Sequence, residues 1–121
     1  MRAGRLHAFG LVLMGAVSAA ALEPPRPIVA AELLARAAGE GSVRVIVELR
    51  VAAMPADARQ RAIEMAQQAV LGEISHTPHR VLRVYQTVPL LALDVSADAL
   101  RVLASSAHVA AVQEDTLAAP Q

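Results

Sequence analysis

Two groups of polar residues in this chain have side chains that could do chemistry, a histidine pair and a serine–histidine group. His76 and His79 stand in the spacing H-x-x-H, and imidazole nitrogens are common ligands of transition metals. Pro78 lies between them in a predicted loop that fixes no ligand geometry, and no third ligand is evident nearby. Solvated loop histidines are the simpler interpretation, so the sequence predicts no metal site and no cofactor.

The serine–histidine group consists of Ser105, Ser106 and His108. A catalytic serine of the hydrolase type is normally framed by a G-x-S-x-G turn, and neither serine has one. Acyl-phosphate hydrolysis by small α+β proteins depends on an asparagine, and the chain contains none. We therefore interpret this group as a break after a helix, and we expect that the protein is not an enzyme.

Composition argues against several classes of partner. The eleven basic residues are all arginine, eleven acidic residues balance them, and the aromatic residues are Phe9 and Tyr85 alone. Nucleic-acid binding needs a basic patch and, for single strands, aromatic stacking platforms. The chain also has no cysteine, which excludes disulfide bonds and lipoprotein attachment. The sequence thus predicts no nucleic-acid partner.

The N-terminus has the three parts of a secretory signal peptide. Arg2 and Arg5 precede an apolar run over residues 8–17, and small residues follow at 18–21. The run is shorter than the about 20 residues that span a bilayer. We expect cleavage near Ala21, a secreted or periplasmic protein, and no stable membrane association afterwards. An uncleaved membrane anchor is the alternative.

The remaining residues, about 100, are enough for a single core. Pro24, Pro25 and Pro27 make an extended entry, and a short helix is predicted over residues 28–38, ended by Gly39 and Gly41. The predicted organisation is a signal peptide at 1–21, an N-terminal segment at 22–42, a domain at 43–115 and a tail at 116–121.

Hydrophobic periodicity predicts the elements of that domain. Period-2 alternation indicates strands and helical spacing indicates helices, in the order β-α-β-β-α-β, with Ser96 as an N-cap. This is the ferredoxin-like α+β fold, an antiparallel sheet with two helices on one face. The predicted strands are 43–49, 81–86, 90–95 and 109–115, and the predicted helices are 57–74 and 97–104.

Strand alternation also assigns side chains to the two sheet faces. The face without helices contains more apolar residues than a solvated face usually does, which predicts a docking surface. As an alternative, the helix over residues 28–38 folds back and covers it. The helix-covered face is predicted to hold Val43, Val45, Val47, Leu49, Leu82, Val84, Leu91, Leu93, Val95, Ala110 and Val112. The opposite face is predicted to hold Arg44, Ile46, Glu48, Arg83, Tyr85, Leu90, Ala92, Asp94, Ala111 and Gln113.

Three stretches of this domain resemble a known family. They read VRVIVEL from residue 43, RQRAIEMAQQAVLGEI from residue 59, and V-x-x-V-Q-E-D at the end, residues 109–115. The pattern resembles the inhibitor I9-type propeptide domain of subtilisin-like serine proteases, over residues 43–115. This resemblance implies an inhibitor and folding chaperone whose sheet lies on two surface helices of the protease and whose C-terminal tail enters the active-site cleft.

The resemblance also implies a set of binding residues on the sheet face and the tail. Asp115 matches an acidic position of the family that can cap a partner helix, whereas Gln113 departs from it because many members carry a second acid there. A proline near the end of the tail lacks the N–H that strand pairing uses, and a frayed terminus is the alternative. The implied protease-binding residues are Ile46, Tyr85, Leu90, Ala92, Ala111, Gln113, Glu114, Asp115, Thr116, Leu117, Ala118, Ala119, Pro120 and Gln121.

In this family the domain normally precedes its protease in the same chain. We therefore expect either an inhibitor that acts in trans or the propeptide of a protease encoded by a split or neighbouring reading frame. Two alternatives stay open. One is a module that uses the same sheet face to dimerise or to bind another protein, and the other is a small metal-binding or catalytic periplasmic protein.

Overall fold

The computed structural model describes residues 26–116, which form one five-stranded sheet with three helices. The predicted signal peptide, residues 1–21, and the tail residues Leu117 to Gln121 lie outside the described residues. The elements in chain order are β1 (Ile28–Val29), α1 (Ala31–Glu40), β2 (Val43–Leu49), α2 (Ala56–Glu73), β3 (His79–Val84), β4 (Leu90–Val95), α3 (Ala97–Ala104) and β5 (Val109–Glu114).

The predicted ferredoxin-like α+β fold is confirmed. The strands lie in the order β1-β5-β2-β4-β3, and the four predicted strands pair antiparallel throughout. The sheet has one strand more than predicted, because β1 pairs with β5 in parallel. The sheet is therefore mixed rather than purely antiparallel.

The core lies between the sheet and the helices. Strand β2 alternates buried and more exposed residues along its whole length, as expected for a strand with one covered face. Helix α2 contributes the predicted apolar stripe, and Gln67 is buried beside it. The sheet and α2 together bury Val43, Val45, Val47, Leu49, Leu91, Leu93, Val95, Val112, Ile63, Ala66, Val70 and Ile74.

Helix α1 begins later than predicted and packs on the covered side of the sheet. Ile28 and Val29 are β-branched and form β1 instead of the first helical turn. Leu33 and Ala37 are buried in the same core as α3 and β2. The alternative in which this helix covers the other face is therefore wrong, and residues 26–42 belong to the same core as residues 43–115.

The C-terminal end of α1 has a tight glycine cap. The helix runs through Gly39 to Glu40 and is capped by Gly41, whose φ of 92° is a conformation that other residues rarely adopt. The Gly41 N–H donates to the Ala37 carbonyl at 2.9 Å. This closure turns the chain directly into β2.

Two bulges alter the predicted assignment of faces. Leu82 is the extra residue of β3, between Val81 opposite Leu93 and Arg83 opposite Ala92, and it is 37% exposed. Leu82 was predicted for the covered face, and that assignment is wrong because the bulge interrupts the alternation. Val84 lies on the covered side of the sheet, as predicted. Its side chain nevertheless stays exposed, because β3 is an edge strand with a neighbouring strand on one side only.

The second bulge lies in β5. Glu48 pairs with Ala111 and Leu49 pairs with Val109, so Ala110 is the extra residue. Val109 and Val112 both reach the core as a result. Ala110, predicted for the covered face, is only half-buried.

Helix α3 has the predicted bounds and the predicted cap. The Ser96 hydroxyl accepts a hydrogen bond from the Ala99 N–H at 3.2 Å. Leu100 and Leu103 are fully buried beneath the helix. Within residues 26–116, no helix combines the length and the apolar character needed to cross a bilayer.

Candidate functional site: the open face of the sheet

The sheet face opposite the helices, called the open face from here on, is organised in three rows that run across the strands. Strand register places side chains of neighbouring strands side by side on one face. The charged row holds Arg80, Asp94, Arg44 and Asp115; the middle row holds Arg83, Ala92, Ile46 and Gln113; the apolar row holds Tyr85, Leu90, Glu48, Ala111 and Ile28. Tyr85 and Asp115 lie just beyond β3 and β5, and their N–H groups donate to the carbonyls of Leu90 and Arg44.

The charged row alternates positive and negative groups. Asp94 lies opposite both Arg80 and Arg44, and the Arg80 Nη2 atom lies 3.3 Å from Asp94 Oδ2. Asp115 completes the row, because its N–H donates to the Arg44 carbonyl at 2.9 Å. The row therefore forms a nearly neutral border along one side of the open face.

The middle row is tightly packed at its centre. Ala92 is only 5% exposed, because Ile46 and Arg83 lie on either side of it in register. The Arg83 guanidinium carbon lies 4.8 Å from the centroid of the Tyr85 ring, a cation–π contact. That contact holds two large side chains together on the open face.

The apolar row includes one residue that sequence reasoning assigned elsewhere. Ile28 was predicted to lie in a helix, but it pairs with Ala111 in β1 and is 76% exposed. Its neighbour Val29 pairs with Val112 and packs against the core. The alternation of these two residues places Ile28 on the open face. A short β-branched pair before a helix was the only sequence signal for it.

The buried amide of Gln67 supports the apolar row from the helix side. Its Nε2 atom donates to the Tyr85 carbonyl at 2.7 Å and to the Leu90 carbonyl at 3.1 Å. Tyr85 directly follows β3, and Leu90 begins β4. A single side chain of α2 therefore fixes the spacing of two residues in the apolar row.

Glu114 lies apart from the other residues of the implied binding set. Its Oε2 atom is 2.5 Å from the Arg36 Nη1 atom of α1, and it pairs with Val45 on the covered side. Gln113 and Asp115 flank it in sequence and lie on the open face. Because strand residues alternate between faces, we leave Glu114 out of the candidate site. Thr116 is exposed at the point where the tail begins.

The serine–histidine group serves to hold elements together. Ser106 is 5% exposed, its hydroxyl donates to Glu73 Oε1 at 2.6 Å, and it accepts from the His108 N–H at 3.1 Å. Ser105 donates to the Val102 carbonyl at 3.1 Å. These bonds join the end of α2 to the turn between α3 and β5.

The histidine pair lies away from the open face. His76 is exposed, and His79 Nδ1 lies 2.8 Å from the Thr77 carbonyl oxygen. Across residues 26–116, no group of three or more His, Cys, Asp or Glu side chains is placed to hold a metal ion.

Comparison of the chain with protein-family models, with curated proteins and with solved structures finds no match. The function is therefore inferred from the geometry of the open face and from the residues that form it.

Proposed function

We propose that this protein is an exported inhibitor and folding helper of a subtilisin-like serine protease and that it catalyses no reaction itself. The open face docks on the protease surface. The tail that begins at Thr116 enters the active-site cleft in the manner of a bound product.

The observation that carries this proposal is an apolar surface in the middle of a sheet face that no helix of residues 26–116 covers. Ile46, Leu90 and Ala111 lie around Glu48 at its centre, and Tyr85 and Ile28 stand at its two ends. Five strands about 4.8 Å apart make it roughly 20 Å wide. Two adjacent helices, whose axes lie about 8–10 Å apart, present a surface of similar width.

The position of Asp115 supports the same geometry. It lies on the open face at the end of β5, next to Arg44, where the chain leaves the sheet. A carboxylate can accept hydrogen bonds from the free N–H groups at a helix N-terminus and complements the positive end of the helix dipole. A face with an acid at its tail-proximal edge thus suits a partner that presents helix ends.

A preformed docking face also explains a role in folding. A protein that binds the native state of a partner and not its unfolded state stabilises the native state by mass action. The open face lies on a core that residues of this chain form among themselves, so it can present a surface against which two protease helices align.

The tail provides the direct test of this proposal. The chain comprising residues 22–121 is expected to inhibit a purified subtilisin-type protease, and a chain ending at Asp115 is expected to lose at least about tenfold in potency. The reason is that an extended segment bound along a cleft contributes main-chain hydrogen bonds and side-chain pockets. The measurement is the inhibition constant against a small panel of such proteases, with circular dichroism to show that both chains are folded.

Two results would contradict the proposal. Failure of residues 22–121 to inhibit any member of the panel at micromolar concentration would remove the protease as partner. A stable dimer in sedimentation analysis, combined with the absence of inhibition, would assign the open face to a second copy of the chain.

A further inference from the structure

The strand β1 makes the open face wider than the four-stranded domain that the sequence predicted. Ile28 stands beside Ala111 in register and continues the apolar row onto a fifth strand. At 76% exposure it is the most exposed of the large apolar side chains that the structure describes. A surface that is buried by a partner gains most from residues of this kind.

Glu48 is the single charged residue of the apolar row. It lies opposite Leu90 on one side and Ala111 on the other, and no ion pair within residues 26–116 includes it. A partner that buries the row removes the Glu48 carboxylate from water. Burial of an unpaired charge is costly, so the partner must supply a compensating positive group.

A basic side chain provides that compensation better than a helix end. A helix N-terminus carries about half a unit of positive charge, which leaves much of a buried carboxylate uncompensated. An arginine or lysine carries a full charge and forms charge-assisted hydrogen bonds with both carboxylate oxygens. The apolar residues on either side of Glu48 exclude water from such a pair.

On this basis we propose that the protease partner covers all five strands and places an arginine or lysine side chain opposite Glu48, with apolar contacts to Ile28 at the edge. This inference rests on the proposed function. It adds a specificity determinant, because only proteases with a basic residue at that place can bury the row without leaving a charge unpaired.

The experiment measures binding of residues 22–121 to a protease of the panel whose nucleophilic serine has been replaced by alanine, so that no cleavage occurs. Glu48→Gln keeps an oxygen acceptor and removes the charge, and we expect about tenfold weaker binding with a smaller dependence on salt. Glu64→Gln is the matched control, because Glu64 is an exposed acid of α2 on the helix side. It is expected to bind like the unchanged chain.

The edge contact is tested with a second pair of variants. Ile28→Thr keeps the β-branched side chain and removes apolar surface, and we expect about tenfold weaker binding, whereas Ile28→Val stays within about fourfold. Met65→Gln is the control, because Met65 is 67% exposed on α2. Thermal unfolding of every variant verifies that the fold is kept.

The outcomes separate the two proposals. Inhibition by the unchanged chain together with undiminished binding of Glu48→Gln overturns the basic side chain, since the loss of a buried charge pair would weaken binding. Undiminished binding of Ile28→Thr overturns the fifth strand as a contact. If the unchanged chain binds no protease of the panel, the proposed function fails and this inference fails with it.

Discussion

At the scale of single residues, Gln67 is a buried polar side chain that joins α2 to the hairpin of β3 and β4. It is 2% exposed in a core of aliphatic residues, and its amide donates to the carbonyl of Tyr85, which follows β3, and to the carbonyl of Leu90, which begins β4. A buried amide is tolerated when its hydrogen bonds are made. Its removal takes this donor from the Tyr85 carbonyl and leaves the Leu90 carbonyl with the Tyr85 N–H at 3.4 Å. Gln67 therefore specifies how α2 lies against the hairpin that carries Tyr85 and Leu90.

Substitution of Gln67 tests this task. Gln67→Met keeps the length of the side chain and removes both hydrogen bonds, so the free energy of unfolding is expected to fall by about 1–2 kcal/mol. Gln68→Met is the control on the exposed side of the same helix and is expected to change it by less than about 0.5 kcal/mol. Urea unfolding of residues 22–121 measures both, and equal stabilities would show that the buried amide contributes nothing.

At the scale of elements, the short helix α3 shows how local signals and packing combine. The helix has eight residues, too few to be stable alone in water. Ser96 caps its N-terminus, and Leu100 and Leu103 attach it to the core. The cap fixes where the helix begins, and this start sets the path that leads into β5 and on to Asp115.

Loss of the cap is expected to weaken the protein without a change in fold. Ser96→Ala removes the acceptor for the Ala99 N–H and should lower the free energy of unfolding by about 1 kcal/mol. Ser96→Thr retains a hydroxyl and should recover most of that loss. Chemical unfolding compares the three proteins. If Ser96→Ala leaves the free energy of unfolding unchanged, water replaces the hydroxyl at no cost.

At the scale of the whole molecule, the N-terminal segment and the predicted domain form one unit. Leu33 and Ala37 of α1 lie in the same core as β2 and α3, and Arg36 binds Glu114 at the end of β5. The strand β1 covers part of the β5 edge, which would otherwise offer unpaired backbone groups to other chains. Residues 26–42 therefore complete the sheet and the core.

Cooperative unfolding is the measurement at this scale. Leu33 is 4% exposed, so Leu33→Ala is expected to cost about 2–4 kcal/mol. Leu34→Ala, at a half-buried position of the same helix, is expected to cost less. Both proteins should unfold in a single transition. A Leu33→Ala protein of unchanged stability, or an early separate transition, would show that residues 26–42 fold apart from the rest.

Most of the fold could be predicted because its signals are local. The alternation in β2, the stripe on α2 and the serine before α3 each lie within one element, and the structure has all three. The candidate site was predictable in part for the same reason. Ile46, Ala92 and Gln113 lie on strands whose alternation is uninterrupted at those positions. The alternation therefore predicted correctly which face of the sheet each side chain lies on.

The features of the fold that could not be predicted from the sequence depend on contacts between residues that are distant along the chain. The bulge at Leu82 exists because β3 meets β4 with one extra residue, and no local pattern marks it. Ile28 has a side chain suited to a strand, but a two-residue strand forms only when β5 is there to pair with it. The ion pair between Glu114 and Arg36 likewise joins residues far apart in the sequence.

The sequence by itself determined the class of fold, the order of its elements and a sheet face rich in apolar residues, because periodicity and capping are written within single segments. Only the tertiary structure decided that no helix of residues 26–116 covers this face, that the face extends over a fifth strand, and that Glu48 lies within its apolar row. The physical reason is that packing and register depend on contacts between segments far apart in the chain. A bulge in a strand, or the presence of a neighbouring strand, decides which residues face the core.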